Sequence, residues 1–186
     1  MTIDELKTKC EGCHLCPLGE TRTNLVFGTG NANSPIMFVG EAPGEQEDKS
    51  GIPFVGRAGQ LFDKYLEAVG IERSDVYICN ILKCRPPKNR DPLPEEQEKC
   101  MDHLRDQVRI IKPKLIVCLG RIAAMKLIGE DFHISTDHGK WYKKGNFEIC
   151  AVYHPSFLLR NPAGKKEEML TDMQMIAKRL EALADV

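Results

Sequence analysis

The sequence contains no long hydrophobic run, no excess of charge of one sign and no apolar signal segment among its first residues. No apolar stretch approaches the roughly 18 residues that a membrane-spanning helix needs, so we expect no membrane association. The formal net charge of the 186 residues is −1, which excludes a protein that binds nucleic acid through a uniformly basic surface. The beginning of the chain, MTIDELKTKCEGC, is charged and lacks an apolar signal segment, so we expect a cytoplasmic protein.

Two nucleotide-binding motifs are also missing. Neither G-x-G-x-x-G nor a P-loop with its lysine follows a strand-like segment, which disfavours a nucleotide-dependent redox enzyme. The chain has no internal repeat, no linker and no low-complexity segment. Because it has 186 residues, of which 42% are apolar, we expect one globular domain spanning residues 1–186.

Four apolar segments alternate with amphipathic helical patterns. The strand-like segments are residues 35–40, 76–81, 114–120 and 147–155. The helical patterns are residues 56–70, 93–111, 121–129 and 167–183. The first three strand-like segments are almost continuously apolar, as strands buried on both faces are. The alternation therefore predicts a parallel sheet covered by helices on both faces, and in the last helix it places Leu170, Met173, Ala177 and Leu180 inward.

The residues that follow these strands form the candidate site, because ligands of such sheets bind beyond the carboxyl ends of the strands. GEAPGEQED follows the first strand, KCRPP follows the second and HPSFLLR follows the last. Two of the three basic segments, LKCRPPKNR and LLRNPAGKK, reach the same edge, whereas GKWYKKG does not. This coincidence favours a functional role for the two segments over simple solvation of charged loops.

Two residues at this edge have the chemistry to recognise a pyrimidine. The Asn80 carboxamide offers a donor and an acceptor side by side, which matches N3–H and O4 of uracil and opposes the pattern of cytosine. Phe54 lies in an otherwise polar loop, where a base could stack on it. A turn-capping asparagine and a phenylalanine that anchors its loop are the alternatives.

His154 and the residues after it supply further candidates. A neutral imidazole at the end of the last strand can donate a hydrogen bond to a developing oxyanion; a histidine with purely structural partners is the alternative. The segment SFLLR places apolar side chains beside Arg160, as in wedges that fill a gap in a base stack; core packing of a helix is the alternative. Together these residues describe a pocket for one flipped pyrimidine.

Eight cysteines in a chain without a signal segment indicate metal ligation rather than a disulfide scaffold. Cys79, Cys118 and Cys150 lie inside apolar strands, where we expect them to pack as small hydrophobic residues. The others are Cys10, Cys13, Cys16, Cys84 and Cys100. A C-x-x-C pair with two distant cysteines suits either zinc or an iron–sulfur cluster, and the spacing does not decide between them.

Three motifs in the same order resemble the family 4 uracil-DNA glycosylases, the iron–sulfur enzymes of archaea and thermophilic bacteria. They are GEAPGEQED with GIPFVGRAGQLF, then VYICNILKCRPPKNR, then YHPSFLLRNP, and the similarity extends from about Cys13 to Pro162. The resemblance implies a DNA repair hydrolase that flips uracil out of single- or double-stranded DNA and leaves an abasic site. It also implies a three-layer α/β/α sandwich with a central four-stranded parallel sheet.

The resemblance further implies roles for individual residues. A [4Fe–4S] cluster would tie down the N-terminal segment through Cys13, Cys16, Cys84 and Cys100, with Cys10 outside the set. The implied uracil contacts are Gly40, Glu41, Ala42, Phe54, Asn80 and His154. Glu47 would lie beside C5 of the base and exclude thymine. Leu158 or Leu159 would fill the vacated stack.

Catalysis is expected to depend on stabilising the uracil anion. We expect His154 and main-chain N–H groups near Glu41 and Ala42 to bind its O2. Well-known members of the wider superfamily orient the attacking water with an aspartate at the position of Ala42, so Glu41, Glu47 and Asp48 are the candidates here. The residues expected to hold DNA phosphates are Arg85, Lys88, Arg90 and Arg160.

A different class of function is a non-catalytic module that carries the cluster and binds nucleic acid or transfers electrons. Such a protein would bind a uracil-containing oligonucleotide without releasing the base. We expect the chain to act as a monomer, and a sliding clamp is a candidate protein partner.

Overall fold

The computed structural model describes residues 1–161 and 163–185, so Pro162 at the end of the third motif lies outside the described residues. Its strands are β1 Thr29–Gly30, β2 Ile36–Gly40, β3 Tyr77–Asn80, β4 Leu115–Leu119, β5 Tyr142–Lys144 and β6 Phe147–Val152. They form one sheet in the order β1-β3-β2-β4-β6-β5. The central strands β3, β2, β4 and β6 are parallel, whereas β1 and β5 pair antiparallel at the two edges.

The predicted α/β class and the four-stranded parallel sheet are confirmed, but the sheet is wider than the sequence indicated. β1 has two residues and β5 has three, so neither is long enough to show an apolar alternation. β5 joins β6 through a tight turn in which Gly145 has φ +56°, a conformation that glycine adopts without strain. These short antiparallel strands cover the edges of the parallel core.

The helices flank this sheet on both faces. They are α1 Ile3–Glu11, α2 Leu18–Thr21, α3 Glu45–Ser50, α4 Arg57–Ala68, α5 Pro94–Ile111, α6 Arg121–Leu127, α7 Ile134–Asp137, α8 Pro155–Arg160 and α9 Lys165–Ala184. The four predicted helices correspond to α4, α5, α6 and α9. In residues 1–161 and 163–185, none of the helices combines the length and the apolar character required to span a bilayer.

Alternate residues of the strands build two separate cores, which gives the three-layer arrangement. Phe38 and Val117 point to one face and pack with Phe62 of α4 and with residues of α8 and α9. Val39 and Cys118 point to the other face, where α5 and α6 cover them. The carboxyl ends of all four parallel strands therefore meet at one edge, between the two helical layers.

The inward face of α9 is largely as predicted: Met173 is buried, and Leu170 and Leu180 pack against the same core from its border. Its buried residues are Met169, Asp172, Met173 and Ile176, whereas Leu170, Ala177 and Leu180 are only half-buried. The helix is rich in apolar residues, so more than one apolar stripe can be drawn on it. Asp172 faces inward because its Oδ2 lies 2.6 Å from Nδ1 of His138, a polar contact that apolar periodicity does not report.

The first helix, α1, was missed although the sequence contains its start signal. The Thr2 hydroxyl accepts the Glu5 main-chain N–H, and the Glu5 carboxylate accepts the Thr2 main-chain N–H at 2.8 Å. This reciprocal pair is the capping box that T-x-x-E encodes. The helix packs against α5 and buries Leu6 and Cys10.

Candidate functional site

A hollow of about 410 Å³ opens at the carboxyl ends of the parallel strands. The predicted uracil-contacting residues that line it are Glu41, Ala42, Phe54, Asn80 and His154. Gly40 lies directly beneath, because a Cβ on it would be 2.5 Å from both Oδ1 of Asn80 and Cζ of Phe54. The structure therefore brings all six predicted contact residues together, and glycine is required at the base of the hollow by close approach.

Asn80 lies at the floor of this hollow. It is the last residue of β3, pairs with Gly40 of β2 and is only 1% exposed. Its Oδ1 is buried and has no hydrogen-bond partner among the described residues, so it does not cap a turn. Leaving such an acceptor unsatisfied costs about 1–3 kcal/mol. The orphaned oxygen indicates a position where a bound molecule supplies an N–H donor.

Phe54 is held in a strained conformation on one side of the hollow. Its φ of +53° lies in the left-handed region that non-glycine residues rarely adopt. Arg73 donates hydrogen bonds to the main-chain oxygens of Phe54 at 2.9 Å and Pro53 at 2.5 Å. Gly59 approaches so closely that a Cβ there would lie 2.0 Å from the Phe54 oxygen. These contacts hold the Phe54 ring 5.8 Å from the ring of His154, centroid to centroid.

Glu47 connects the two loops that border the hollow. Its Oε1 accepts the Gly44 N–H at 3.1 Å, and its Oε2 accepts the N–H groups of Val55 at 3.0 Å and Gly56 at 2.7 Å. Both carboxylate oxygens are therefore engaged by main-chain donors. This geometry favours a positioning role for Glu47, in the wall of the pocket, over the water-orienting role that the sequence allowed.

The ring of His154 presents one defined nitrogen as a donor. Its Nδ1 accepts the Ser156 main-chain N–H at 3.1 Å and lies 2.7 Å from the Ser156 hydroxyl oxygen. Because a main-chain N–H can only donate, Nδ1 is unprotonated and the neutral ring carries its proton on Nε2. Burial, and to a lesser degree the positive charge of Arg160, lowers the pKa of His154 to about 4. Sequence analysis missed Ser156, although a residue that precedes proline at a helix start indicates an N-cap.

Glu41 is a carboxylate of the hollow with a second carboxylate nearby. Burial and the charge of Asp91 raise the pKa of Glu41, while Arg121 and Arg160 oppose that increase. Asp91 also lines the hollow, and its Oδ2 lies 3.2 Å from Nη2 of Arg121. Sequence analysis missed Asp91, because no local pattern connects it to the first strand.

Asp48 does not face the hollow. Its Oδ1 accepts the main-chain N–H groups of Thr23 at 2.9 Å and Asn24 at 3.2 Å. The side chain of Asn24 in turn donates to the main-chain oxygens of Asp48 and Lys49. Asp48 therefore fastens the N-terminal segment to α3, and this geometry removes it from the candidates for orienting water.

The predicted phosphate-binding residues differ in their exposure and in their hydrogen-bond partners. Arg160 is exposed and borders the hollow, and Lys88 is exposed on a turn after β3. Arg85 is half-buried and donates from Nε to Oδ1 of Asn89 at 2.8 Å. Arg160 lines the hollow, whereas Arg85 and Lys88 adjoin the lining residues Pro86 and Asn89.

Arg90 is already engaged with a buried carboxylate. It donates two hydrogen bonds of 2.8 Å to the two oxygens of Glu96, whose side chain is only 4% exposed. A bidentate pair of this kind is strong and has a fixed geometry. Arg90 lines the hollow, but any contact to a phosphate competes with Glu96.

The two leucines of α8 differ in exposure. Leu158 is fully buried in the core that α4 and α9 share, so it cannot contact DNA, and that prediction is wrong. The pattern SFLLR does not reveal which leucine faces inward, because consecutive helical residues lie about 100° apart. Leu159 is 39% exposed and is the only one of the pair that can act as a wedge.

Four of the cysteines surround a second, much smaller hollow of about 20 Å³. They are Cys13, Cys16, Cys84 and Cys100. Nη1 of Arg22 lies 3.2 Å from Sγ of Cys84, and the Lys83 N–H lies 3.4 Å from Sγ of Cys100. Within residues 1–161 and 163–185, no three His, Cys, Asp or Glu side chains form a ready metal-ligand group. The donor set fits a four-thiolate centre with N–H donors to sulfur, although this hollow has to widen to admit a cluster.

Cys10 is not isolated from this group. Its Sγ lies 3.2 Å from Nδ1 of His103, whose Nε2 lies 3.2 Å from Sγ of Cys13. His103 therefore bridges the two thiols. Sequence analysis missed His103, although its position three residues after Cys100 places both on one face of α5.

The other three cysteines are Cys79, Cys118 and Cys150. All three are fully buried in the sheet, as predicted. Burial raises the pKa of each of these thiols, so they behave as small hydrophobic residues.

Comparison with known proteins shows which protein family this chain resembles. Residues 27–176 match the family model described as the uracil DNA glycosylase superfamily. The type-4 uracil-DNA glycosylase of Archaeoglobus fulgidus is 44% identical over 185 residues, which cover 95% of this chain and 92% of that protein. The type-4 uracil-DNA glycosylase of Thermotoga maritima is 46% identical over 174 residues, or 91% of this chain and 90% of that protein. A type-5 uracil-DNA glycosylase of Pyrobaculum aerophilum is 32% identical over 162 residues.

Proposed function

The chain belongs to the uracil-DNA glycosylase superfamily, within its type-4 group, and we propose that the hollow at the edge of its sheet holds the uracil. The protein is a uracil-DNA glycosylase that excises uracil in DNA repair. The observation that carries the site proposal is the convergence of Asn80, Phe54 and His154 on one hollow, in which Oδ1 of Asn80 lacks a partner.

Recognition of the base follows from the floor and walls of the hollow. Asn80 Oδ1 accepts N3–H of uracil, and its amide group donates to O4. Cytosine offers the opposite pattern and would leave both groups unpaired, which is costly in a buried site. The Phe54 ring stacks on the base, and the wall held by Glu47 lies beside C5, where a thymine methyl group would clash.

Catalysis stabilises the charge that develops when the glycosidic bond breaks. Cleavage of the bond between C1′ and N1 leaves negative charge on the uracil and positive charge on the sugar. The Nε2–H of His154 donates to O2 of the base, together with main-chain N–H groups near Glu41 and Ala42. Because the imidazole is neutral, it acts as a hydrogen-bond donor without adding a proton to the ring.

Glu41 acts on the sugar side of the bond. Its carboxylate faces the cationic sugar, orients a water molecule towards C1′ and accepts a proton as that water adds. The uracil anion takes its proton from solvent after release. The products are free uracil and an abasic site.

The DNA backbone binds on the rim of the hollow. Arg85, Lys88 and Arg160 hold the phosphates around the flipped nucleotide, and Arg90 joins them only when it leaves Glu96. Leu159 enters the gap that the flipped base leaves in the stack. The chain has a net charge of −1, so affinity depends on this local patch.

We propose that Cys13, Cys16, Cys84 and Cys100 would hold the [4Fe–4S] cluster that the resemblance to family 4 implies. When bound, it supplies a cross-link between chain segments that are distant in sequence. Cys13 and Cys16 hold the N-terminal segment, Cys84 follows β3 and Cys100 belongs to α5. We assign the cluster a structural role that makes residues 1–186 one domain.

The experiment that tests this proposal uses three matched oligonucleotides, which differ only in carrying uracil, thymine or cytosine at one position. After incubation with the protein, alkali converts each abasic site to a strand break. We expect breaks at uracil alone. A non-catalytic binding module would shift the uracil oligonucleotide in a gel without producing a break, and that result would overturn the proposal.

A further inference from the structure

Lys83 is a fully buried lysine whose side chain reaches the floor of the uracil pocket from below. It is 0% exposed. Its Nζ donates one hydrogen bond of 2.7 Å to the main-chain oxygen of Asn80 and another of 2.7 Å to Oε1 of Gln107. Both acceptors are neutral oxygens. Burying an ammonium group costs free energy, and an apolar side chain would fill the same space more favourably. The presence of a lysine here is therefore best explained by the groups to which it donates hydrogen bonds.

The second partner of Lys83 is itself rigidly held. Gln107 of α5 is 0% exposed. Its Nε2 donates to the main-chain oxygen of Phe27 at 2.9 Å and lies 3.2 Å from the hydroxyl oxygen of Tyr77. A fully satisfied buried network of this kind fixes the positions of its members. Through Gln107, Lys83 therefore connects the end of β3 to two other chain segments, α5 and the segment that contains Phe27.

The hydrogen bond from Lys83 to Asn80 matters because of where Asn80 lies in the sheet. Asn80 is the last residue of β3 and pairs with Gly40, and the next two residues still donate main-chain hydrogen bonds to Gly40 and Glu41, at 2.9 and 3.1 Å. Because Oδ1 of Asn80 has no partner among the described residues, the orientation of its side chain depends on the main chain, where Lys83 adds a hydrogen bond to the Asn80 oxygen. A misplacement of about 1 Å at such a group is enough to lose about 100-fold in rate.

We propose that Lys83 is a positioning residue, which holds the Asn80 main chain so that its carboxamide keeps the orientation that accepts uracil. This inference rests on the proposed function of the hollow. Lys83 does not touch the base, and it acts only through Asn80. The proposal depends on its two hydrogen bonds and not on a change in its protonation.

Two substitutions separate this role from a general contribution to folding. Lys83→Met has nearly the same length but cannot donate a hydrogen bond to Asn80. Gln107→Leu removes the other acceptor and leaves the bond from Lys83 to Asn80 in place. Both are expected to lower the thermal midpoint, because each leaves a buried polar group unpaired.

Binding of free uracil, measured as product inhibition, distinguishes the two variants. For Lys83→Met we expect the uracil inhibition constant to rise by about tenfold and kcat to fall, with unchanged affinity for abasic-site DNA. For Gln107→Leu we expect a smaller rise than for Lys83→Met, because the hydrogen bond from Lys83 to Asn80 remains while the anchor of Lys83 on α5 is lost. Measured iron content must match wild type in both variants, so that a loss of the cluster is not mistaken for a loss of positioning.

The possible outcomes distinguish failure of this inference from failure of the proposed function. If Lys83→Met binds uracil and turns over as the wild type does, Lys83 does not position Asn80. If the wild type itself releases no uracil, the proposed function fails. Should Lys83→Met not fold, Lys83→Gln takes its place, because its amide is one bond shorter and reaches Asn80 poorly. Wild-type uracil affinity in that variant would also reject the inference.

Discussion

His154 is the residue whose ionisation most directly tests the pocket. Burial lowers its pKa to about 4, and Ser156 fixes its proton on Nε2. We therefore expect kcat/KM to show no acid limb near the ordinary histidine value of about 6.5. An acid limb that begins above about pH 4 then reports Glu41, whose carboxyl pKa is raised by burial. A pH–rate profile of single-turnover uracil release measures this.

The lowered pKa of His154 also affects the free energy of unfolding. Between about pH 6.5 and 4 the unfolded chain binds a proton at His154 that the folded chain does not, so the unfolding free energy decreases as the pH falls through that range. His154→Asn removes this dependence and is the control. A difference in unfolding free energy between the two proteins that stays constant from pH 7 to 4 would contradict the lowered pKa.

Individual residues of the site were predictable where the strand order determines their position. Asn80 and His154 end parallel strands, and such ends meet at one edge of the sheet. The positions of Ser156, Asp91, His103 and Lys83 were not foreseen. Asp91 and His103 contact partners that are distant in sequence, and Lys83 is anchored on Gln107, 24 residues away; such side-chain contacts leave no periodic pattern.

At the scale of elements, α8 allows a comparison between two adjacent leucines. Leu159→Ala should leave the thermal midpoint unchanged and reduce kcat/KM on duplex DNA by about tenfold, roughly 1.4 kcal/mol of the few that base flipping costs. Single-stranded DNA should be less affected, because it has no opposing stack to hold open. The measurement is single-turnover release from matched duplex and single-stranded oligonucleotides.

Leu158→Ala is the matched variant on the buried face of α8. We expect it to lower the unfolding free energy by about 2–5 kcal/mol, as truncation of a buried leucine does. Equal effects of Leu158→Ala and Leu159→Ala on both stability and duplex activity would contradict the assignment of the two faces.

The second prediction at the scale of elements concerns Glu47 in the short helix α3. Glu47→Ala removes the acceptor of three main-chain N–H groups, so we expect a loss of about 1–3 kcal/mol in unfolding free energy. Uracil affinity should also fall, because the adjoining loop holds Phe54. Urea unfolding and product inhibition by uracil measure the two effects.

Glu45→Ala is the control for that prediction. Glu45 belongs to the same turn of α3 and also borders the hollow, but its side chain is exposed and forms a surface ion pair with Lys49 at 3.0 Å, so we expect no measurable change in unfolding free energy. If Glu45→Ala and Glu47→Ala behave alike, the positioning role of Glu47 is wrong.

The long elements were predicted better than the short ones. α4, α5, α6 and α9 show clear apolar periodicity, and the four parallel strands are nearly continuous apolar runs. β1 and β5 are too short to produce a pattern, and they form only because the edges of the completed sheet offer unpaired main-chain groups. The burial of Asp172 on α9 accompanies its contact with His138, a tertiary contact that apolar periodicity does not report.

At the scale of the whole molecule, the N-terminal segment is held by several independent contacts. α1 packs on α5, Asp48 binds the main chain of Thr23 and Asn24, and Arg22 reaches Cys84. The proposed cluster adds a cross-link to the same segment. We therefore expect its loss to destabilise the protein without unfolding the sheet.

Cys13→Ala and Cys10→Ala test this arrangement as a pair. Cys13→Ala should abolish the visible absorption and iron content of anaerobically purified protein, and lower the thermal midpoint by about 5–10 °C, or roughly 2–3 kcal/mol. Cys10→Ala should keep its iron, because Cys10 contacts His103 and does not line the cysteine hollow. Full iron content in Cys13→Ala would contradict the assigned ligand set.

The central claim is that the hollow eases the departure of uracil as an anion. The most direct test compares single-turnover release of uracil and of 5-fluorouracil from otherwise identical DNA, by wild type and by His154→Ala. 5-Fluorouracil leaves more readily as an anion and needs less stabilisation. We predict that His154→Ala slows uracil release by about 100- to 1,000-fold and 5-fluorouracil release by clearly less. Equal losses for both bases, or no loss for uracil, would contradict the account.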